Sequence, residues 1–405
     1  LNAYTVVYAT MLIPAGGLAD AHGRKRVFLA GVTLFLAASA ACGMADSVAW
    51  LIVARVVQAL GAALLTPASL SIILDAFPKE KRTVAVSLWG AVGGLAAAIG
   101  PSLGSSIVEH LGWPWAFYIN LPLGAVSLWF GASRLREAVV PGKRARIDLV
   151  GMLLLIVAVG ALAMAITQLD SKHWSRLELA ALALTGAIAF GAFIAWARTA
   201  SAPLVDLALF ANRSYSAVNL ATLAFGTAFA MMFFAFFTYM TRIWHFSLPL
   251  AGLAVTPGPL MVVPTAIVAG RIAARTGHRP ILVIGSLVYA ASGLWLLLVP
   301  GTEPAYATQW LPGLFLSGIG VGMVLPSLSG AAVAGLPAAQ YAVGSAVNQA
   351  TRQLGSVLGV AVTVLLVGHA NLTRADFLAV YGMHVALALL TGLLCMAVKT
   401  RPVAK

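Results

Sequence analysis

Of the 405 residues, 61% are hydrophobic and only 9% charged, and the mean hydropathy is +0.95. A soluble domain carries roughly a quarter charged residues, so an ordinary globular protein is excluded and a polytopic membrane protein is left. The net charge of +13 does not point to nucleic acid, because the basic residues sit in short loops between apolar runs, where they act as orientation signals.

A membrane helix needs about 20 predominantly apolar residues. Taken in chain order, spans are expected at 1–16, 27–45, 48–74, 84–107, 114–133, 149–168, 178–198, 215–240, 249–270, 280–299, 309–334, 343–368 and 377–398, thirteen in all. The fold class is therefore all-α, since no dyad-alternating strands of barrel type occur. Nineteen Lys and Arg residues fall in one set of alternate loops and the C-terminal tail, including Arg24, Lys25, Arg26, Lys143, Arg144, Arg146, Arg401 and Lys405. The opposite set holds only Lys172, Arg176, Arg242 and Arg374. Basic loops stay inside, so a multi-pass protein of the cell membrane with a cytoplasmic C-terminus is expected. Cys42 and Cys395 lie in apolar runs, form no metal-spaced set and support no disulfide. The chain begins with Leu and shows no signal-peptide pattern, so its start reads as a cut end.

The stretch Gly16-Gly17-Leu18-Ala19-Asp20-Ala21-His22-Gly23-Arg24-Lys25-Arg26 reads as a glycine-rich, charged hinge between two apolar runs. It has an echo about 254 residues on, in Gly270-Arg271-Ile272-Ala273-Ala274-Arg275-Thr276-Gly277-His278-Arg279. Gly16, Gly23 and Gly31 are spaced like Gly270, Gly277 and Gly285. Such duplication implies two related halves. The second hinge follows two helices of a six-helix set and the first follows one, so one helix is expected before Leu1. The intact arrangement would be fourteen helices as six, two and six, with five, two and six present here. The corresponding divisions are an N-terminal bundle at 1–133, a basic loop with two linker helices at 134–214, a C-terminal six-helix bundle at 215–398 and a tail at 399–405.

At the hinge, Gly16 and Gly23 permit close approach of helices and a tight turn. Asp20 sits where it can accept from a helix end or an arginine, and Arg24, Lys25 and Arg26 can bridge to acids or carbonyls on an adjacent helix. Together they form a conformational latch; plain orientation anchoring is the other explanation. Gly16-x-Leu18-Ala19-Asp20-x-x-Gly23-Arg24-Lys25-Arg26 resembles the signature loop between helices 2 and 3 of the major facilitator superfamily. Leu51-x-x-x-Arg55-x-x-Gln58-Ala59-x-Gly61 is similar to its helix-4 motif, with Ala59 where Gly is usual. Ala96-x-x-x-Gly100-Pro101-x-x-Gly104-Ser105 resembles the helix-5 antiporter motif, with both flanking glycines replaced. Trp113-Pro114-Trp115-Ala116-Phe117-Tyr118-Ile119-Asn120-Leu121-Pro122 looks like the start of helix 6 in multidrug members of the fourteen-helix drug:proton antiporter branch.

An Arg near a helix centre costs about 2.5–3.5 kcal/mol on insertion scales, so it faces a partner or a wet cavity. Arg55, with Gln58, is such a residue unless it snorkels to the surface. The resemblance implies a charge that tunes proton exchange near an acid on the missing first helix. All twelve acidic residues lie in loops or at span ends, so no mid-membrane carboxylate is visible and a preference for strongly cationic substrates has no support. Gly100-Pro101, with Gly104, is read as an antiporter kink in a closely packed helix, against an ordinary bilayer proline. His384 can titrate, although a packing role explains it better. The aromatic cluster containing Phe233 and Phe237 suits a drug-lining wall or a lipid face. Thr256-Pro257-Gly258-Pro259 with Pro264 marks an interrupted helix. Asn348 and Arg352 share a helix face, and Gly355-x-x-x-Gly359 marks a close helix contact. Asn120, Phe233, Phe237, Pro257, Asn348 and Arg352 are the candidate cavity residues.

These readings converge on a secondary transporter that exports amphiphilic small molecules, drugs or antibiotics, against inward protons by alternating access, with substrate, protons and lipid bilayer as its partners. An exporter or uptake carrier for one native metabolite and a proton-independent facilitator are the alternatives. No catalytic residue, metal site or cofactor is expected, and no Gly-x-x-x-x-Gly-Lys-Ser/Thr phosphate loop occurs. The oligomeric state is not legible.

Overall fold

The computed structural model describes residues 2–137, 148–169, 174–201, 203–337, 340–368 and 372–400. The loop and tail cations Lys143, Arg144, Arg146, Lys172, Arg401 and Lys405 lie outside the described residues. Among those described, the chain is helical and holds no strand. In order come α1 (Asn2–His22), α2 (Arg24–Gly43), α3 (Val48–Ala76), α4 (Lys79–Leu111), the short α5 (Trp115–Tyr118) and α6 (Asn120–Arg134). Next are α7 (Leu149–Thr167) and α8 (Arg176–Thr199). After a 3₁₀ turn at Leu207–Ala211 follow α9 (Arg213–Arg242), α10 (Leu248–Val255), α11 (Pro257–Thr276) and α12 (His278–Leu298). A π turn at Tyr306–Trp310 leads into α13 (Leu311–Ala334), and α14 (Tyr341–Val367) and α15 (Arg374–Cys395) end the series.

Each of the thirteen expected ranges holds a helix, and ten spans among the described residues are long and apolar enough to cross a membrane. Large apolar side chains along these spans, such as Leu177, Leu184 and Leu253, are exposed, as a lipid solvent requires. Helix starts are chemically marked where they leave the apolar run. Ser175 with Glu178 and Thr373 with Asp376 form reciprocal capping boxes at α8 and α15. Asp148 caps α7 through the Gly151 N–H at 2.8 Å, and also accepts from the Trp196 indole and the Leu204 N–H, each at 2.9 Å. One carboxylate thus ties the start of α7 to the end of α8.

The chain divides into two compact units that cut across chain order: Leu1–Ala76, Ile107–Leu209 and Leu336–Gln353 form the first, and Phe77–Ser106, Phe210–Gly335 and Leu354–Lys405 the second. In the first, α2 packs on α3 and α6, α1 packs on α3 and α7, and α7 pairs with α8. The α2–α3 contact is made backbone to backbone: a Cβ on Gly61 would meet the Phe35 nitrogen at 2.5 Å, and one on Gly31 would meet the Leu65 nitrogen at 2.9 Å. In the second, α13 packs on α11 and α12, and α15 on α9 and α12. Gly318 comes so close to α11 that an added Cβ would lie 2.0 Å from the Gly258 carbonyl oxygen. That approach sits beside the break at Thr256, which separates α10 from α11 as the proline-rich run anticipates.

The hinge differs from its expected form. Residues Gly16 to His22 are not loop but the last turns of α1, and Gly270 to Thr276 likewise finish α11. Each connection contracts to a single glycine, Gly23 at φ +105° and Gly277 at φ +80°. L side chains rarely adopt such backbone. The break therefore needs one residue, and Gly16, buried within α1, lies outside the turn.

Candidate functional site

The Gly23 hinge is held by charge on three sides. Arg24, 2% exposed, pairs with the fully buried Asp20 one turn back at 3.0 Å and with Asp75 at the end of α3, and its Nη1 also reaches the Ser71 carbonyl at 3.5 Å. The guanidinium is thus surrounded by acceptors on α1 and α3, which offsets the cost of burying it. Lys25 extends to the Ala132 and Leu135 carbonyls, at 2.8 and 2.9 Å, neutralising the C-terminal end of α6. Glu137 then accepts from the backbone N–H groups of Lys25 and Arg26, at 3.1 and 3.2 Å, and caps the start of α2. Arg26 Nε lies 3.6 Å from the same carboxylate, in an ion pair whose arginine is largely exposed. The second hinge repeats the arrangement with a neutral group: Thr400 Oγ1 accepts from the His278 N–H at 2.8 Å. The sequence pointed to neither Glu137 nor Thr400, for each lies more than a hundred residues from the helix it caps.

A second polar group lies inside the first unit. Arg55 is about 10 Å along α3 from Val48 at 1.5 Å rise per residue. It donates to Gln58 Oε1, while Gln58 Nε2 donates to Ser39 Oγ at 2.7 Å and Asn120 Nδ2 reaches the same hydroxyl at 3.4 Å. The guanidinium also stacks over the Tyr4 ring, 4.0 Å from its centroid, and lies 5.7 Å from that of Phe117. Arg55, Gln58 and Asn120 therefore meet, with Ser39 and Tyr4 as members that composition alone does not reveal.

Several other expectations are corrected. An added Cβ at Gly100 or Gly104 would meet nothing within 4 Å, so neither glycine makes the close contact expected of them. Helix α4 runs unbroken through position 101, and a tight approach lies earlier, where a Cβ added to Gly90 would lie 2.7 Å from Pro326 Cγ of α13. Arg352 donates to Gln349 Oε1 through Nε and Nη2, at 2.9 and 2.7 Å, so its partner lies three residues earlier on α14. The aromatic cluster splits by face. Met231, Met232, Phe236 and Tyr239 are core, with Tyr239 against Trp310 and Phe377; Phe225 is core too and begins a series of ring contacts at successive turns, stacked from Phe225 through Phe229 to Phe233 and tilted between Phe233 and Phe237. His384 packs, as expected, with no exposure: its ring nitrogens face the Ala228 and Tyr289 carbonyls at 3.3 and 3.1 Å. Gly355 and Gly359 do make the predicted close contact, with α9: their added Cβ atoms would lie 2.5 Å from the Leu223 and 2.3 Å from the Thr227 carbonyl oxygens. Pro257 opens α11, next to the Gly258–Gly318 approach. No metal-ligating cluster occurs among the described residues.

The family model for the Major Facilitator Superfamily matches residues 1–202 and 218–405. The chain belongs to this superfamily. Among curated members it is 33% identical over 362 residues to the multidrug resistance protein Stp of Mycobacterium tuberculosis, covering 89% of this chain and 66% of that protein. It is 32% identical to the tetracenomycin C resistance and export protein of Streptomyces glaucescens, with 90% of this chain and 68% of that protein covered. To the multidrug export protein EmrB of Escherichia coli it is 29% identical, covering 93% and 74%. The chain spans about two-thirds of the length of the curated relatives it matches. The crystal structure of the human organic anion transporter MFSD10 aligns with a TM-score of 0.68 over 97% of this chain and 82% of that one, at 18% identity, which supports the superfamily fold. The superfamily chain is thus a multi-pass helical membrane protein whose relatives are named for transport, not for catalysis.

Proposed function

We propose that this superfamily chain is a secondary active transporter that exports amphiphilic small molecules, drugs or antibiotics among them, in exchange for protons and by alternating access. The observation that carries the reading is the joint built twice, with one positive-φ glycine and a side-chain cap in each half, in a chain whose relatives are named as multidrug exporters. A one-residue joint with fixed partners on both sides suits a part that snaps between two packings instead of bending continuously. In this reading Gly16, Asp20, Gly23, Arg24, Lys25 and Arg26 form the latch, Arg55 and Gln58 tune proton exchange, and Asn120, Phe233, Phe237, Pro257, Asn348 and Arg352 line the route. Gly100, Pro101 and Gly104 keep a role in antiport that does not depend on tight packing.

The same proposal includes the four-part division at 133, 214 and 398, the fourteen-helix plan, the cell membrane as location and a cytoplasmic C-terminus. The test is dye efflux from everted vesicles. Efflux that stops when the pH gradient is collapsed supports proton exchange, and efflux that continues unchanged rules it out in favour of a proton-independent facilitator. A second reading, export of one native metabolite, is favoured by the likeness to the tetracenomycin C export protein. Efflux of a single chemotype out of a panel of unrelated dyes would decide for it.

A further inference from the structure

Ser39, fully buried on α2, decides how Arg55 and Gln58 of α3 meet. A hydroxyl has one proton and two lone pairs, and here all three are used. Ser39 Oγ donates to the Phe35 carbonyl one turn back at 2.8 Å, and accepts from Gln58 Nε2 at 2.7 Å and from Asn120 Nδ2 at 3.4 Å. With its proton committed to Phe35, the oxygen can only accept across the helix interface, so it takes the N–H end of the Gln58 amide. That turns Gln58 Oε1 toward Arg55 Nη1, with the Cys42 thiol 4.0 Å from the same oxygen. A guanidinium has donors only, so the oxygen end is the one it can bond. Gln58 is itself buried, and a reversed amide would leave buried polar atoms unpaired. So short a side chain reaches α3 because the two backbones nearly touch one turn away, where Gly61 meets Phe35.

Arg55 is held by that amide oxygen and by the Tyr4 ring. A charge tunes the affinity of a site for a proton through distance, since Coulomb energy falls as the inverse of separation. A guanidinium on a flexible stem does this reproducibly only when the stem is fixed. We propose that Ser39 is a positioning residue for Arg55 and acts through the orientation of the Gln58 amide. The inference deepens the proton-exchange reading, and it rests on that reading for what the fixed charge does.

The test follows phenylglyoxal modification of each arginine by peptide mass spectrometry, on the chain in phosphatidylcholine nanodiscs. Ser39→Ala should speed modification at Arg55 about fivefold and leave the buried Arg24 unmoved. A carboxylate has two like oxygens and needs no orienting. In a Gln58→Glu background the same Ser39→Ala change should therefore leave the Arg55 rate unaltered. Equal acceleration in both backgrounds, no acceleration with Gln58 in place, or a parallel rise at Arg24 would overturn the assignment, the last by showing that the whole unit has loosened. If Ser39→Ala fails to fold, Ser39→Cys, whose thiol accepts hydrogen bonds weakly, is taken through the same comparison. Dye efflux from everted vesicles keeps the two claims apart, and Ser39→Ala should slow the gradient-driven part several-fold. Should the unaltered chain show no gradient-dependent efflux while the modification pattern holds, proton exchange is wrong and the positioning role stands. Should efflux follow the gradient while Ser39→Ala leaves the Arg55 rate unchanged, the positioning role is wrong and proton exchange stands.

Discussion

Gly23→Ala probes the hinge most directly. At φ +105° and ψ 132° an alanine sits in backbone that is nearly glycine-only, at a cost of about 1–3 kcal/mol. Its methyl carbon would also lie 2.5 Å from Glu137 Oε1 and 2.6 Å from the carboxyl carbon, so the carboxylate must leave the α2 N-terminus. A lost cap costs about 1 kcal/mol more. The sum, about 2–4 kcal/mol, corresponds to a fall of roughly 5–10 °C in melting midpoint for a cooperative unit of about 200 residues. Thermal unfolding of the detergent-purified chain reads this out. Repeating Gly23→Ala in a Glu137→Ala background should lower its cost by about 1 kcal/mol, because the cap is already gone and the clash with it. A Gly23→Ala chain that melts with the unaltered protein refutes the single-glycine joint. Additivity of the two changes confines the strain to the backbone and removes Glu137 from the argument.

Arg24→Ala leaves Asp20 buried without its guanidinium and should destabilise by about 3–5 kcal/mol; Asp75→Asn, at the more exposed carboxylate, should cost clearly less in the same melt. Gly355→Ala pushes α14 against the Leu223 carbonyl and should cost about 1–3 kcal/mol, which reduced chemical-denaturant resistance would register. Gly100→Ala, entering open space within a helix, should leave the melting midpoint unchanged or raise it by the equivalent of about 0.5–1 kcal/mol; a large loss would show that α4 is packed at that turn after all. Gly277→Ala should resemble Gly23→Ala in backbone cost, with Thr400 in place of Glu137 as the displaced cap.

The helical plan was legible because span length and apolar composition are local quantities, and the duplicated glycine spacing located both joints to within a turn. Glycine and charge at the hinge suggest irregular backbone, yet Gly16 to His22 are helical. In the structure Asp20 and Arg24 instead use the i,i+4 geometry of a helix and its continuation. Arg55 announced its need for a partner by its cost in lipid, yet Ser39 and Tyr4, its indirect and stacked neighbours, looked like any other residue of α2 and α1. Helical periodicity placed Asn348 and Arg352 on one face but said nothing of Gln349, whose side chain reaches the guanidinium from three residues earlier. Gly100 and Gly104 show the opposite failure, where a familiar pattern suggested a contact that position in space does not provide.

The two joints share a shape but not a chemistry. Glu137 grips the start of α2 with a full negative charge, and Thr400 grips the start of α12 with a hydroxyl dipole. Dissolved ions weaken the first kind of grip and barely touch the second. Raising ionic strength should therefore loosen the joint at Gly23 before the joint at Gly277, although both turn on one positive-φ glycine.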